Sequence, residues 1–271
     1  PRSVVARSIL KFCHVTIILR GGDASHIGLG MRICCRLSTV LHMTQTTGGN
    51  AATTGRLVLL RHGQTVWSES GQHTGRTDIP LTAEGERQAR DAGTRIQTAF
   101  PQGFGENCVY ASPLKRAQQT ASLAGFAPRT LPALAEWDYG RAEGRTRQTI
   151  AQLHGGSWEL WNDGPDALSP TMEGDWTETL PDGEQVPVHN GPGESLSDVY
   201  DRVQQAIDQA VPLMESGHSV LFVAHAHVLR ILTARWLGVD PHFARLLRLD
   251  TAHYSILSVY KGDRVIERWN C

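Results

Sequence analysis

Four apolar residues, Leu57-Val58-Leu59-Leu60, run without a polar break and stop at Arg61-His62-Gly63-Gln64-Thr65. A short unbroken apolar run with polar residues at its end reads as a strand buried on both faces. The pattern recurs at Cys108-Val109-Tyr110-Ala111, which stops at Ser112-Pro113. It recurs again at Ser219-Val220-Leu221-Phe222-Val223-Ala224, which stops at His225-Ala226-His227. A further short strand is expected near 129–131, and two late ones at 254–260 and 265–269 flank the turn Lys261-Gly262-Asp263.

Between these runs the period becomes helical. Thr82 is placed to cap a helix reaching about Phe100, with Glu84 near its positive end and Pro101 and Gly103 beyond. Ser112 is expected to cap a helix with Pro113 at its first position, which would carry Arg116 and, a turn later, Thr120. Thr146 to Leu153 reads as a short helix. Ser195-Leu196-Ser197-Asp198 resembles a capping box, and Val199, Val203, Ile207, Ala210 and Val211 hold helical spacing to about Glu215. A last helix is expected over 228–237, closed by Gly238. Strands alternating with helices predict a three-layer, doubly wound α/β sheet, mostly parallel, with an antiparallel edge strand. It forms one domain over 56–271, with no internal repeat.

Two regions break the pattern. In 1–42 six Lys and Arg face a single acid, Asp23, and the apolar residues keep no period. Residues 1–55 are read as a disordered or non-native extension rather than a targeting segment or an interaction arm, with Met43 an internal candidate start. Residues 155–193 are rich in Gly, Pro and acids, and no Lys or Arg occurs between Gln148 and Asp201. This stretch is expected to be a lid or insertion and is most simply a solvated loop.

Composition narrows the chemistry. With 26 Lys and Arg against 27 Asp and Glu, the formal net charge is −1, so no bulk charge invites nucleic acid or a membrane. An anion site must be built locally. The five cysteines are scattered and form no CxxC, which fits a reducing cytoplasm rather than a disulfide framework.

Three strand ends carry chemistry: Arg61-His62, Arg116 in the helix after the second strand, and His225. In an open sheet these ends share one rim. Guanidinium forks match phosphate oxygens. A neutral imidazole can attack phosphorus, and a second, charged one would stabilise the equatorial oxygens. A leaving alkoxide needs a proton; Glu136, beside Leu134 and Trp137, is the candidate, kept protonated by apolar neighbours.

The motif Leu59-Leu60-Arg61-His62-Gly63-Gln64-Thr65 resembles the signature of the histidine phosphatase (phosphoglycerate mutase-like) superfamily. So do Thr74-Gly75, Asp78-Ile79-Pro80-Leu81-Thr82, Ser112-Pro113-Leu114 with Arg116-Ala117 and Thr120, Gly193-Glu194-Ser195, Val223-Ala224-His225 and Leu229-Arg230. The likeness spans roughly 56–269 and implies a phosphoglycerate mutase-like fold. It implies His62 as phosphorylated nucleophile, Arg61, Arg116 and His225 as phosphate pocket, and Glu136 as proton donor. Thr74 and Gly75 would lie near the substrate, with Ser68 where many members place an Asn contact. Ala226 stands where a Gly usually follows the second His. Trp67-Ser68, Gly71-Gln72-His73-Thr74-Gly75 and Glu136-Trp137-Asp138-Tyr139-Gly140 with Glu143-Gly144 are most similar to actinobacterial acid phosphatases and fungal-type sedoheptulose-bisphosphatases.

Hydrolysis is expected rather than mutase chemistry. A 2,3-bisphosphoglycerate-dependent phosphoglycerate mutase needs a second basic clamp, and here the acid loop continues with Trp137-Asp138 while the lid lacks cations. A regulatory member that only binds phosphorylated partners would show a damaged constellation, and all the central residues are present. The expected partner is a small phosphorylated substrate, with no cofactor, no metal, no nucleic acid and no membrane; a homodimer is compatible. His225-Ala226-His227 lacks a third ligand cluster, so His227 reads as a pocket wall or helix-start group. His73 is placed at the pocket mouth or in solvent, Arg76 is read as a loop cation, and Arg230 as structural, paired with an acid. Trp158, Trp161 and Trp176 line a lid or simply pack.

Overall fold

The computed structural model describes residues 55–271. The expectations for the N-terminal extension lie outside the described residues. In chain order the elements are β1 (Leu57–Arg61), α1 (Val66–Ser70), α2 (Ala83–Ala99), β2 (Val109–Ala111), α3 (Lys115–Leu123), β3 (Arg129–Thr130), α4 (Arg147–His154) and α5 (Leu160–Asp163). They continue with β4 (Gly174–Thr179), β5 (Gln185–Asn190), α6 (Leu196–Glu215), β6 (Val220–Ala224), α7 (Ala226–Leu237), β7 (Tyr254–Tyr260) and β8 (Asp263–Arg268).

Six strands form one sheet in the order β3-β2-β6-β1-β7-β8. β3, β2, β6 and β1 are mutually parallel, and β7 and β8 join antiparallel at one side. The unbroken apolar strands follow from two cores. Leu57, Leu59 and Phe222 face one core with α6 and α7, through Val203, Ile207, Ile231 and Leu232. Val58, Leu60, Leu221 and Val223 face the other with α2 and α3, through Ala92, Ile96, Ala117 and Ala121. A strand covered on both faces has no polar side to alternate with.

Two expected details differ. Ser112 is not the N-cap of α3: that is Leu114, without a side-chain bond, and the Ser112 hydroxyl meets His225 and accepts from the Leu114 N–H at 3.3 Å. Residues 155–193 are not a plain solvated loop. They fold into α5, single 3-10 turns and the antiparallel hairpin β4–β5. Leu160, Trp161, Leu168 and Met172 join the main core, while Leu180, Val186 and Val188 make a third cluster with Trp67 and Ile79. Burial of these side chains, each contributing about 1.5–3 kcal/mol for the largest, outweighs the acidic composition. No helix among the described residues is long and apolar enough to cross a membrane.

Candidate active site

Strand register sets the site. Arg61 pairs with Ala224, so the next residues, His62 and His225, leave the sheet side by side. The His62 N–H donates to the Ala224 carbonyl at 2.9 Å, and the two rings lie 5.1 Å apart at 58°. On β2, Ala111 pairs with Val223, and Ser112 follows onto the same rim. Gly63 is required by proximity rather than by an unusual backbone angle. A Cβ there would sit 2.3 Å from the Gly85 carbonyl oxygen at the start of α2. Its N–H donates to Thr120 Oγ1 at 3.0 Å, which anchors the loop to α3.

Hydrogen bonding assigns the protons on both rings. His62 Nδ1 lies 2.7 Å from the Gly63 carbonyl, which only accepts, so Nδ1 carries the hydrogen and Nε2 keeps its lone pair. Burial first, then the positive charges of Arg116 and Arg61, hold this ring well below the usual imidazole range. At His225 the order reverses. Arg116 Nε donates to Nδ1 at 3.0 Å, so Nε2 carries the hydrogen and donates to Ser112 Oγ at 2.7 Å. Burial and the Arg116 charge hold His225 well below the usual imidazole range, which favours its neutral form.

The two arginines part company. Arg61 lines the cavity; Nη1 donates to the Leu249 carbonyl at 2.7 Å, and its buried Nε has no hydrogen-bond partner among the described residues. A buried unpaired cationic donor at a cavity wall is a ready anion contact. Arg116 is fully buried behind the wall. Besides His225 it donates to the carbonyls of Thr77 at 2.9 Å, Thr74 at 3.1 Å and Gly75 at 2.9 Å. It therefore braces His225 and the 74–77 segment instead of facing the cavity.

Thr74 and Ser68 line the cavity. Ser68 is committed to the capping box of α1, its hydroxyl donating to the Thr65 carbonyl and accepting from the Thr65 N–H, each at 2.9 Å. Gly75 lies behind the wall: its N–H donates to both Glu143 oxygens at 2.9 Å, and a Cβ would meet the Trp137 carbonyl at 2.5 Å. Glu143, quoted in the sequence only as part of a motif, is the buried pin of this segment and also accepts from the Thr77 N–H. Burial pushes its carboxyl up to about 7 against the pull of those donors and Arg116.

Glu136 is buried but not protonated by apolar neighbours, which corrects that expectation. Oε1 accepts from the N–H groups of Trp137 at 2.9 Å and Val228 at 2.8 Å, and Oε2 from that of His227 at 3.1 Å. Two of these donors sit on the first turn of α7, where the helix dipole also favours a negative charge. Burial pushes the carboxyl up, but the His227 ring and these donors outweigh it and hold it down at about 2.

Arg61, His62, Ser68, Thr74 and Glu136 line a cavity of about 530 Å³, while His225, Arg116 and Gly75 lie behind its wall. Its outer wall is aromatic, with Trp67, His73, Tyr139 and His227. The Trp158 ring stands edge-on to His73 at 5.6 Å, behind the wall. Besides Arg61 the lining holds Arg147, which is exposed and lies just before the stretch 149–200 that has no Lys or Arg. Arg76 pairs with Glu194 at 3.1 Å and Asp138 at 3.9 Å, as a loop cation. Arg230 has no acidic partner among the described residues; it donates to the carbonyls of Ala244 and Arg245 and stacks over Trp161 at 4.8 Å. Among the described residues no group of three or more His, Cys, Asp or Glu is arranged to hold a metal ion.

The profile of the histidine phosphatase superfamily (branch 1) matches residues 57–271. The chain belongs to the histidine phosphatase superfamily. This histidine phosphatase is 34% identical over 210 residues to an acid phosphatase of Mycobacterium tuberculosis, covering 77% of this chain and 89% of that protein. It is 29% identical to the sedoheptulose 1,7-bisphosphatase of Saccharomyces cerevisiae, covering 69% of each. The solved structure of a Mycobacterium tuberculosis open reading frame product superposes with a TM-score of 0.64 at 32% identity, covering 80% of this chain and 97% of that one. The mostly parallel sheet, its antiparallel side and the family assignment agree with the fold read from the sequence.

Proposed function

We propose that this histidine phosphatase is a metal-independent phosphomonoesterase that works through a phosphohistidine on His62. The observation that carries this reading is the His62 ring. Its Nδ1 hydrogen is spent on the Gly63 carbonyl, its Nε2 makes no hydrogen bond to the described residues, and it lines the same cavity as Arg61, whose Nε is unpaired among them. A neutral imidazole with an available lone pair is the reactive form. Arg61 supplies the charge that offsets the phosphoryl oxygens, a task a metal would otherwise take. Arg116 and His225 keep the nucleophile neutral and the Thr74 segment in place.

The substrate is a small phosphomonoester; a sugar phosphate and a broad acid phosphatase range both fit a cavity of about 530 Å³ with aromatic outer walls. Mutase chemistry is the second reading. It would need a firm clamp for a second phosphate, and among the described residues the outer cavity offers only exposed Arg147 as an arginine. Hydrolysis of p-nitrophenyl phosphate in the presence of EDTA tests the proposal. Activity should survive the chelator and vanish in His62→Ala. Loss with EDTA, or a 2,3-bisphosphoglycerate-dependent mutase rate matching hydrolysis, would overturn it.

A further inference from the structure

The outer wall of the cavity carries two imidazoles that the phosphohistidine step does not use, His73 and His227. Tyr139 stands edge-on to both, with ring centroids at 5.3 Å from His73 and 5.4 Å from His227. Burial, the largest cause, holds both rings below the usual imidazole range, with His73 down at about 4. A neutral imidazole has one N–H and one lone pair, so the partner of one nitrogen decides what the other offers.

The two rings are set in opposite senses. His73 Nδ1 lies 2.7 Å from the Arg145 carbonyl, which only accepts, so Nδ1 carries the hydrogen and Nε2 is an acceptor. The backbone holds this residue in place: its N–H donates to the Arg145 carbonyl at 3.0 Å, and its carbonyl accepts from the Gly144 N–H at 2.9 Å. At His227 the partner is Tyr139 Oη, 2.6 Å from Nδ1. Burial first, then the charges of Glu136 and Glu143, keep this phenol in its O–H form. Oη has no other partner among the described residues, and a buried O–H left unpaired is costly. It therefore donates to Nδ1, and His227 Nε2 carries the hydrogen. Glu136 Oε2, at 3.8 Å from Nδ1, is beyond hydrogen-bond range. Neither Nε2 bonds to a described residue. The fully buried side-chain nitrogens without a partner among the described residues are Arg61 Nε and Trp236 Nε1, so both imidazole Nε2 atoms reach solvent.

We propose that this wall is a hydroxyl-reading subsite and that the leaving group is a polyol or sugar: one of its hydroxyls donates to His73 Nε2, and another accepts from His227 Nε2–H. The inference rests on the phosphomonoesterase reading above and narrows its substrate class. A hydroxyl both donates and accepts, so one kind of group satisfies both nitrogens. A carboxylate or a second phosphate only accepts, and would set its charge against the His73 lone pair. An apolar leaving group would cover both nitrogens and leave them unpaired. Trp67 and Leu160 on the same lining offer apolar surface to the C–H groups of such a chain.

The test compares kcat/KM for glycerol 3-phosphate and propyl phosphate, two alkyl esters that differ only in two hydroxyls. The unmodified enzyme should favour glycerol 3-phosphate ~10-fold or more, and His73→Phe and His227→Phe should each shrink that ratio ~3–10-fold. The ratio is the readout, because a general disturbance of the site lowers both rates together. A preference below about 3-fold in the unmodified enzyme, or an unchanged ratio in either variant, would overturn the proposal. Long-range ¹H–¹⁵N spectra of the unmodified protein read the tautomers without any substitution. Hydrogens on His73 Nδ1 and His227 Nε2 are expected, and the opposite tautomer on either ring would overturn the assignment. Matching rates on the two esters that vanish in His62→Ala would remove the subsite and leave the phosphomonoesterase reading standing. Failure to hydrolyse these esters and p-nitrophenyl phosphate alike would remove both.

Discussion

The inner end of the cavity and its outer wall are built by different means. At the inner end His62 lines the cavity with His225 and Ser112 buried behind it; the three follow directly from the last paired residues of β1, β6 and β2, and each has a polar partner. A one-residue slip in register would separate them. The outer wall instead leans on the hairpin β4–β5, where Val186, Val188 and Leu180 pack on Trp67. Nothing in the main sheet fixes that hairpin. Chemistry is therefore tied to the central sheet, and substrate shape to a peripheral hairpin. This division allows loop sequences to change specificity while the reaction stays the same.

Substitutions at the inner end should give the largest effects. His62→Ala should lower kcat/KM by ~10⁴-fold or more in steady-state assays, since a covalent step without its nucleophile has no substitute. Arg61→Ala should cost ~10²–10³-fold in kcat, as loss of one preorganised charged donor does elsewhere. Arg116→Lys keeps the charge but loses the fork that serves three carbonyls and His225. It should lower stability in urea titration by about 2–3 kcal/mol from the unsatisfied buried carbonyls. A full-strength His62 pocket in that variant would contradict the bracing role assigned to Arg116.

The outer wall should respond differently. Val188→Ala removes buried methyl groups from the hairpin cluster and should cost about 1–2 kcal/mol in stability. It should raise KM several-fold through Trp67 while changing kcat little. Arg147→Ala should have the smallest effect, about 2–3-fold in KM for a doubly charged substrate, because the side chain is exposed and screened. A large kcat loss in either variant would erase the distinction between the two ends.

The pH profile carries a sign that follows from burial. His62 sits well below the ordinary imidazole pKa, so it remains unprotonated as pH falls through 6.5. The acid limb of kcat/KM should therefore lie well under that value. An acid limb at or above 6.5 would mean that the Arg116 and Arg61 charges do not act on the ring.

The two ends were also unequally legible in the sequence. Leu57 to His62 and Val220 to His225 announce themselves, because a strand buried on both faces leaves an unbroken apolar run. The hairpin does not. Only Val186, Val188 and Asn190 of β5 turn inward, spaced by exposed residues in an acidic stretch. The turn signal Leu180-Pro181-Asp182-Gly183 was present and would have predicted it. Glu136 and Arg116 were legible as residue types but not in state or direction. Their ionisation and orientation depend on backbone N–H and carbonyl groups at 74–77, 136–137 and 227–228, which a sequence does not display. Glu143 was hidden for the same reason.

The central claim is that His62 Nε2 takes the phosphoryl group. Rapid quench of the enzyme during turnover of a ³²P-labelled phosphomonoester, followed by peptide mapping, tests it most directly. The account predicts an acid-labile, base-stable label on the peptide that contains His62, absent from His62→Ala. Turnover with no enzyme-bound label at any quench time, or a label on another residue, would contradict it.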